Sequence, residues 1–257
     1  GLGEEATFEQ REQIFLRTEE VLKQARELNP LNTDHSANLA RFYKSWAARI
    51  SILLNDESLS ETRRSNLQAQ RQQLLDLSLE NYEKALTLSP NNPILWNELA
   101  QLYAVDIGNQ EKFQETIEQS LEVDDEFEQT WMLLGDLRSS RGDIDGAIEA
   151  YRQSLEVRES CDVRRVMGTL LTQQSNFEEA RTFLTASLEM CEDYGQRWEM
   201  YRVLAYASAN LGRNQEALEA AMLALQLAPE NQKPVVQQLI DQLQGTSEQP
   251  DAPLSQP

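Results

Sequence analysis

Aromatic, aliphatic and small residues recur along the sequence at a regular spacing. The pattern W-x2-L-G-x2-Y, complete or partial, recurs from four starting positions: Trp96, Trp131, Arg164 and Tyr201. Successive copies are 35, 33 and 37 residues apart. No proline, which costs a helix interior about 3 kcal/mol, lies between Ile94 and Ala228. The spacing therefore predicts antiparallel helix pairs, which must stack because one pair cannot bury its apolar face alone.

After each first helix, the pattern predicts a turn and then a second helix with small residues at fixed positions. The copies that begin at Trp131 and Tyr201 match best, through Gly142, Ala147, Tyr151, Gly212, Ala217, Ala221, Ala224 and Pro229. The copy at Arg164 is weakest, since arginine stands in the aromatic position. The copy at Trp96 continues with Phe113, Ile117 and Ser120, where small–large–small is usual.

These residues resemble the tetratricopeptide-repeat (TPR) family, whose repeat has 34 residues. The resemblance implies an all-α solenoid, a right-handed superhelix of antiparallel helix pairs with about eleven or twelve helices. In such a fold the tryptophans and tyrosines at the pattern positions fill the core.

The N-terminal third contains one hairpin that is too long. Pro30 and Pro90 each follow what looks like the end of a second helix, and they are 60 residues apart. We therefore expect residues 35–88 to form one extended hairpin, with helices at about 35–54 and 59–88 that project past the neighbouring repeats. Ser58 and Glu61 match a capping box for the second of these helices.

The remaining parts of the chain are predicted as follows. Residues 7–29 form an unpaired or capping helix with Phe8, Phe15, Leu22 and Ala25 on one face. Residues 93–229 contain the four TPR-like repeats, and residues 233–244 form a capping helix. Residues 245–257 are expected to be a disordered tail.

The charge balance limits the possible partners. The 43 acidic and 23 basic residues give a formal net charge of −20, which repels phosphate backbones and anionic headgroups. We therefore expect no nucleic acid as a partner, and instead a neutral or basic protein or peptide segment. No window of about 18 apolar residues is present, so direct membrane insertion of this segment is not expected. The sequence begins at Gly1 without a methionine, as a processed chain or a piece of a longer protein would.

Catalytic and metal-binding patterns are missing from the sequence. His35 is the single histidine and lies at an expected helix start. No C-x2-C, H-E-x-x-H or glycine-rich phosphate-binding motif is present. We therefore expect no enzyme activity, no cofactor and no metal. Some TPR proteins hold a chaperone carboxylate with Lys, Asn and Arg. Here the equivalent positions include Ala37, Arg41, Glu98 and Leu133, so that clamp is not reproduced.

The family resemblance implies that the first helix of each repeat lines a concave groove. The predicted partner-binding residues are Asn97, Glu98, Gln101, Met132, Leu133, Asp136, Arg165, Val166, Thr169, Arg202, Val203 and Tyr206. Arg165 and Arg202 occupy the same position in consecutive repeats, so two guanidinium groups could hold a carboxylate or another planar anion. The alternative is that each arginine pairs with a neighbouring Asp or Glu.

The two cysteines, Cys161 and Cys191, fall at the same end of one antiparallel hairpin. A disulfide between them is permitted if their Cα atoms come within about 7 Å. It would favour an oxidising compartment. The alternative is two free thiols in a reducing cytosol.

The expected function is a non-catalytic scaffold that binds a protein or peptide in the groove. An alternative comes from residues 28–46, which resemble the TPR regions of bacterial O-antigen ligase-like multi-pass membrane proteins. That resemblance implies an extracytoplasmic soluble domain, attached to an upstream membrane domain, in cell-surface glycan assembly. Otherwise a cytoplasmic location is expected.

Overall fold

The computed structural model describes residues 8–246 in two compact units, divided between Thr130 and Trp131. Within these residues the chain is helical and contains no strand. Each unit is built from consecutive helices that pack side by side, as the repeat spacing predicts. The all-α fold is therefore confirmed.

The first unit contains five helices. They are α1 (Phe8–Leu28), α2 (Thr33–Leu54), α3 (Glu61–Leu88), α4 (Pro93–Gln101) and α5 (Gln110–Val123). Asparagine side chains cap three of them: Asn32, Asn92 and Asn109 each accept a hydrogen bond from a first-turn amide. Pro93 occupies the first turn of α4, where its missing N–H costs nothing. The asparagines and Pro93 together fix where these helices begin.

The helices α2 and α3 have 22 and 28 residues and pack against each other. At 1.5 Å per residue α3 is about 42 Å long. Tyr43, Ile50 and Tyr82 are buried between the elements of this unit. Phe15 of α1 stacks on Trp46 at 5.0 Å between ring centroids, while Phe8 has its side chain outside the described residues. That the α2–α3 hairpin projects past its neighbours stays a prediction.

The predicted capping box at Ser58 and Glu61 is wrong. Ser60 is the N-cap of α3, and its hydroxyl accepts a hydrogen bond from the amide of Arg63. Ser58 instead bonds to the Asp56 carboxylate through its amide and its hydroxyl. An Asx turn at Asp56 competes for Ser58 and delays the helix start by two residues.

A π-helical segment, Leu102–Ile107, follows α4 and ends at Gly108. It turns the Asp106 carboxylate inward, so that 3.8 Å separates it from the Lys44 ammonium group. Arg71 of α3 donates to the Asp106 carbonyl oxygen at 2.7 Å. Burial raises the pKa of Asp106, only partly opposed by these two cations. Neither the segment nor the cluster was predicted.

The second unit begins within α6 (Glu128–Ser140) and continues through the remaining six helices. They are α7 (Ile144–Val157), α8 (Cys161–Gln173), α9 (Phe177–Met190), α10 (Arg197–Asn210), α11 (Asn214–Leu227) and α12 (Lys233–Thr246). The last helix extends two residues beyond the predicted 233–244. The rest of the predicted tail, 247–257, lies outside the described residues.

The helices α6 and α7 pack so closely together that position 135 requires a small residue. A Cβ atom built on Gly135 would lie 2.7 Å from the ring of Tyr151. Tyr151 is buried to 2 % exposure, and its hydroxyl donates to Asp136 at 2.5 Å. The ring therefore has no room to move, which explains the W-x2-L-G spacing at this repeat.

A disulfide joins the first residue of α8 to the residue after α9. The Cα atoms of Cys161 and Cys191 are 5.9 Å apart, within the range that a disulfide needs. The antiparallel hairpin brings the two residues to the same end, as the spacing of 30 residues requires. Among residues 8–246 no cysteine is free.

Candidate functional site

The face shared by α8 and α10 carries the main cluster of polar groups in the second unit. Arg165 of α8 donates from Nη1 to the Glu199 carboxylate of α10 at 2.8 Å. Its Nε lies 3.3 Å from the hydroxyl of Tyr194, and that hydroxyl also bonds to Asp162. Burial acts against the charged guanidinium, but Tyr194 and Glu199 outweigh it and raise the pKa of Arg165. Arg165 is therefore committed to contacts within the protein.

Arg202, at the same repeat position on α10, behaves differently. Its guanidinium makes no hydrogen bond or ion pair with any described residue, although the side chain is partly buried. Burial lowers the pKa of Arg202, and attraction to Glu199 offsets this only in part. Because Glu199 is already paired with Arg165, Arg202 keeps an uncompensated positive charge.

The disulfide lies beside this cluster. Cys191 opens the connection between α9 and α10, and Tyr194 follows three residues later. The Tyr194 hydroxyl reaches Asp162, which directly follows Cys161 in α8. The disulfide and the tyrosine thus hold the α9–α10 connection against the start of α8.

Other predicted groove residues of the second unit are less accessible. Val203 and Tyr206 retain only 1 % and 8 % of their exposed area, and Tyr206 packs edge-on against Phe177. Their prediction as partner contacts is wrong, because the α10 face turns these side chains into the core. Met132 and Val166 are partly buried and pack against a separate core cluster around Tyr151 and Met167.

The remaining predicted positions of the second unit stay nearer the surface. Asp136 is exposed but accepts the Tyr151 hydroxyl bond, and Leu133 is half-buried. Thr169 is half-buried, and its hydroxyl donates to the Arg165 carbonyl at 3.1 Å.

In the first unit the three predicted residues of α4 have separate roles. Asn97 is 3 % exposed, and its amide bonds to the Thr130 hydroxyl at 3.1 Å, so its prediction as a partner contact is also wrong. Both carboxylate oxygens of Glu98 share one bifurcated hydrogen bond from Arg41 Nε, at 2.9 and 3.0 Å. Of the three, only Gln101 is exposed.

Glu199 was not predicted as part of this cluster, although its spacing from Arg165 in the sequence indicates the pair. Glu199 lies 34 residues after Arg165, a full repeat, and the two face each other on neighbouring first helices. An acid one repeat after a base is therefore a usable indicator of pairing in this fold. Among residues 8–246 no group of Asp, Glu, His or Cys side chains has the arrangement of a metal site.

The consecutive antiparallel helix pairs are typical of helical-repeat proteins. The tetratricopeptide-repeat family matches residues 81–118, 128–161 and 165–232. The chain belongs to the tetratricopeptide-repeat family.

Two sequence relatives agree with this assignment. The TPR repeat-containing protein PA0015 of Pseudomonas aeruginosa is 33% identical over 79 residues, which are 31% of this chain and 74% of that protein. The small glutamine-rich tetratricopeptide repeat-containing protein 2 of Mycosarcoma maydis is 30% identical over 86 residues. Those residues are 34% of this chain but only 24% of the Mycosarcoma protein.

Solved structures show the same fold. YrrB, described as a TPR protein with an unusual peptide-binding site, aligns with a TM-score of 0.59 at 18% identity. The alignment covers 84% of this chain and 97% of YrrB. Yeast Tom70 aligns with a TM-score of 0.58 at 13% identity, over 96% of this chain and 62% of Tom70. At these identities the likeness extends to the fold alone.

Proposed function

We propose that the chain is a non-catalytic scaffold that binds a protein or peptide segment on the first-helix face of its repeats. Membership of the TPR family and the missing catalytic motifs support this proposal, as does the fold shared with a peptide-binding TPR protein. The partner is neutral or basic overall, because the chain carries a formal net charge of −20.

The observation that carries the site assignment is the unpaired guanidinium of Arg202. Arginine stays charged at every physiological pH, and a partly buried charge without a counter-ion gains most from a new carboxylate contact. Arg165 and Glu199 neutralise each other at 2.8 Å and fix the edge of the site. Arg202 therefore binds one acidic group of the partner, a side chain or a terminal carboxylate, while Arg165 acts as a positioning residue.

Selection from a random peptide library on the purified chain tests this function. Enriched peptides are synthesised, and their dissociation constants are measured by isothermal titration calorimetry for the wild type and for Arg202→Gln. A charge-assisted hydrogen bond contributes about 1.5–3 kcal/mol, so we expect about 10- to 150-fold weaker binding by the variant.

Arg49→Gln is the matched control, because Arg49 is an exposed arginine on α2 outside the site. We expect the Arg49→Gln variant to bind as the wild type does. Equal loss of affinity in both variants, or none in Arg202→Gln, would show that Arg202 does not contact the partner. Failure to enrich any peptide would count against the binding function itself.

The disulfide favours a second proposal, that this is the extracytoplasmic domain of an O-antigen ligase-like bacterial membrane protein. Disulfides persist in oxidising compartments and are rare in the cytosol, and Cys161 and Cys191 are joined here. None of the described helices has the length and apolar composition needed to span a bilayer. The coding sequence upstream of Gly1 decides this proposal: about ten hydrophobic spans are expected, and a soluble upstream region would overturn it.

A further inference from the structure

The first unit contains a cavity of about 420 Å³ between α3, α4 and α5. This volume falls within the range of small-ligand sites in proteins. Trp96 and Tyr103 contribute aromatic rings to its lining, and Leu86 and Leu99 contribute aliphatic side chains. None of the predicted groove residues lines this cavity.

Four side chains of the lining already donate hydrogen bonds within the protein. The indole N–H of Trp96 donates to the Pro90 carbonyl at 2.7 Å. The hydroxyls of Thr87 and Thr116 donate to carbonyl oxygens one turn earlier in their own helices. The side-chain amide of Gln119 donates to Glu122. Each of these four side chains thus already donates to an acceptor of the protein.

The charged groups of the lining leave one carboxylate unpaired. Lys112 and Glu115 form an ion pair at 2.6 Å and neutralise each other. Glu83 makes no hydrogen bond or ion pair through its carboxylate with any described residue. The hydroxyl of Tyr103 lies in the field of all three: burial raises the pKa of Tyr103, the two glutamates raise it further, and Lys112 opposes them. The cavity therefore combines aromatic faces with a net negative charge.

We propose that this cavity binds a basic side chain, an arginine or lysine presented by a partner polypeptide. A cation over the face of Trp or Tyr is attracted by the ring quadrupole, and Glu83 supplies the free acceptor. The guanidinium or ammonium group lies between the aromatic rings and Glu83, and its aliphatic stem contacts Leu86 and Leu99. The site gives the acidic chain a specific contact for a basic partner.

Nuclear magnetic resonance of the intact chain tests this proposal through the indole N–H signal of Trp96, assigned with Trp96→Phe. The probe is N-acetyl-arginine-N′-methylamide, and the control is the citrulline analogue, which has the same shape without the charge. We expect the arginine probe to shift the signal saturably and the citrulline analogue to bind about fivefold more weakly or not at all. No shift with arginine, or equal shifts with both compounds, would overturn the proposal.

Variants separate the specific contact from general attraction to an acidic surface. Glu83→Gln is expected to weaken the arginine probe about three- to fivefold. Glu57→Gln makes the same charge change on the exposed α2–α3 connection outside the cavity and is expected to leave binding unchanged. Equal weakening by both variants would show that net charge alone attracts the probe, which would overturn the site.

Discussion

Ser175 lies in the left-handed region, with φ 60°, and is the single non-glycine residue with positive φ within residues 8–246. Its equivalents in the flanking repeats are Gly142 and Gly212, with φ 78° and 73°. At each turn the following amide donates back into the first helix at 2.9 Å, so all three positions need the same conformation. A side chain in this region destabilises the folded state by about 1–2 kcal/mol. Glycine avoids this strain, but its greater freedom in the unfolded chain destabilises the folded state by about 0.5–1 kcal/mol. Ser175→Gly should therefore stabilise the protein by about 0.5–1 kcal/mol.

The reciprocal change provides the control. A Cβ atom on Gly142 meets no atom within 4 Å, so Gly142→Ser tests the backbone conformation without a steric clash. It is expected to destabilise by a similar amount, about 0.5–1 kcal/mol. Urea unfolding followed by circular dichroism measures both variants against the wild type. A lower unfolding midpoint for Ser175→Gly, or shifts of the same sign in both variants, would show that the backbone conformation at this turn does not limit stability.

Three further changes test the second unit and the π-helical segment. Reducing the Cys161–Cys191 disulfide, which spans 30 residues, should lower the free energy of unfolding by about 3–4 kcal/mol; an unchanged urea midpoint would contradict this. Gly135→Ala should destabilise by about 1–2 kcal/mol in thermal unfolding, because the clash with Tyr151 exceeds the gain in helix propensity; a raised midpoint would contradict it. Burial raises the pKa of Asp106, so its favourable contribution is present at low pH and lost as pH rises through the folded-state pKa. Asp106→Asn should have a larger free energy of unfolding than the wild type at about pH 7, and the difference should shrink towards about pH 4. A difference that does not change with pH would show that the titration of Asp106 does not affect stability.

The repeat spacing predicted the fold because it reports packing between neighbouring elements. Trp, Leu, small and Tyr residues recur at fixed offsets only where each helix pair meets the next in the same way. The starts of α2, α4 and α5 also follow from local sequence, since an asparagine caps each. These features depend on residues close in sequence or exactly one repeat apart.

The features that were missed depend on competition between partners. Ser58 and Ser60 both precede α3, and only the bond from Ser58 to Asp56 decides which of them caps the helix. The π-helical segment presents the Asp106 carbonyl oxygen, which accepts a hydrogen bond from Arg71, 35 residues earlier on α3. That separation equals one repeat spacing, but Arg71 lies within α3 and Asp106 in the segment after α4, so the two do not occupy equivalent repeat positions. Such contacts become visible only when the helices are placed side by side.

The two arginines of the candidate site show that a repeat position determines where a side chain lies but not whether it forms an ion pair. The position places Arg165 and Arg202 on corresponding faces of α8 and α10. Pairing then depends on the next repeat, since Glu199 lies 34 residues after Arg165, whereas residues 232–240, one repeat after Arg202, contain no acid. The helix α12 therefore offers Arg202 no acidic partner at the position that corresponds to Glu199. The same repeat position thus carries an arginine that joins neighbouring repeats at Arg165 and an arginine without a described partner at Arg202.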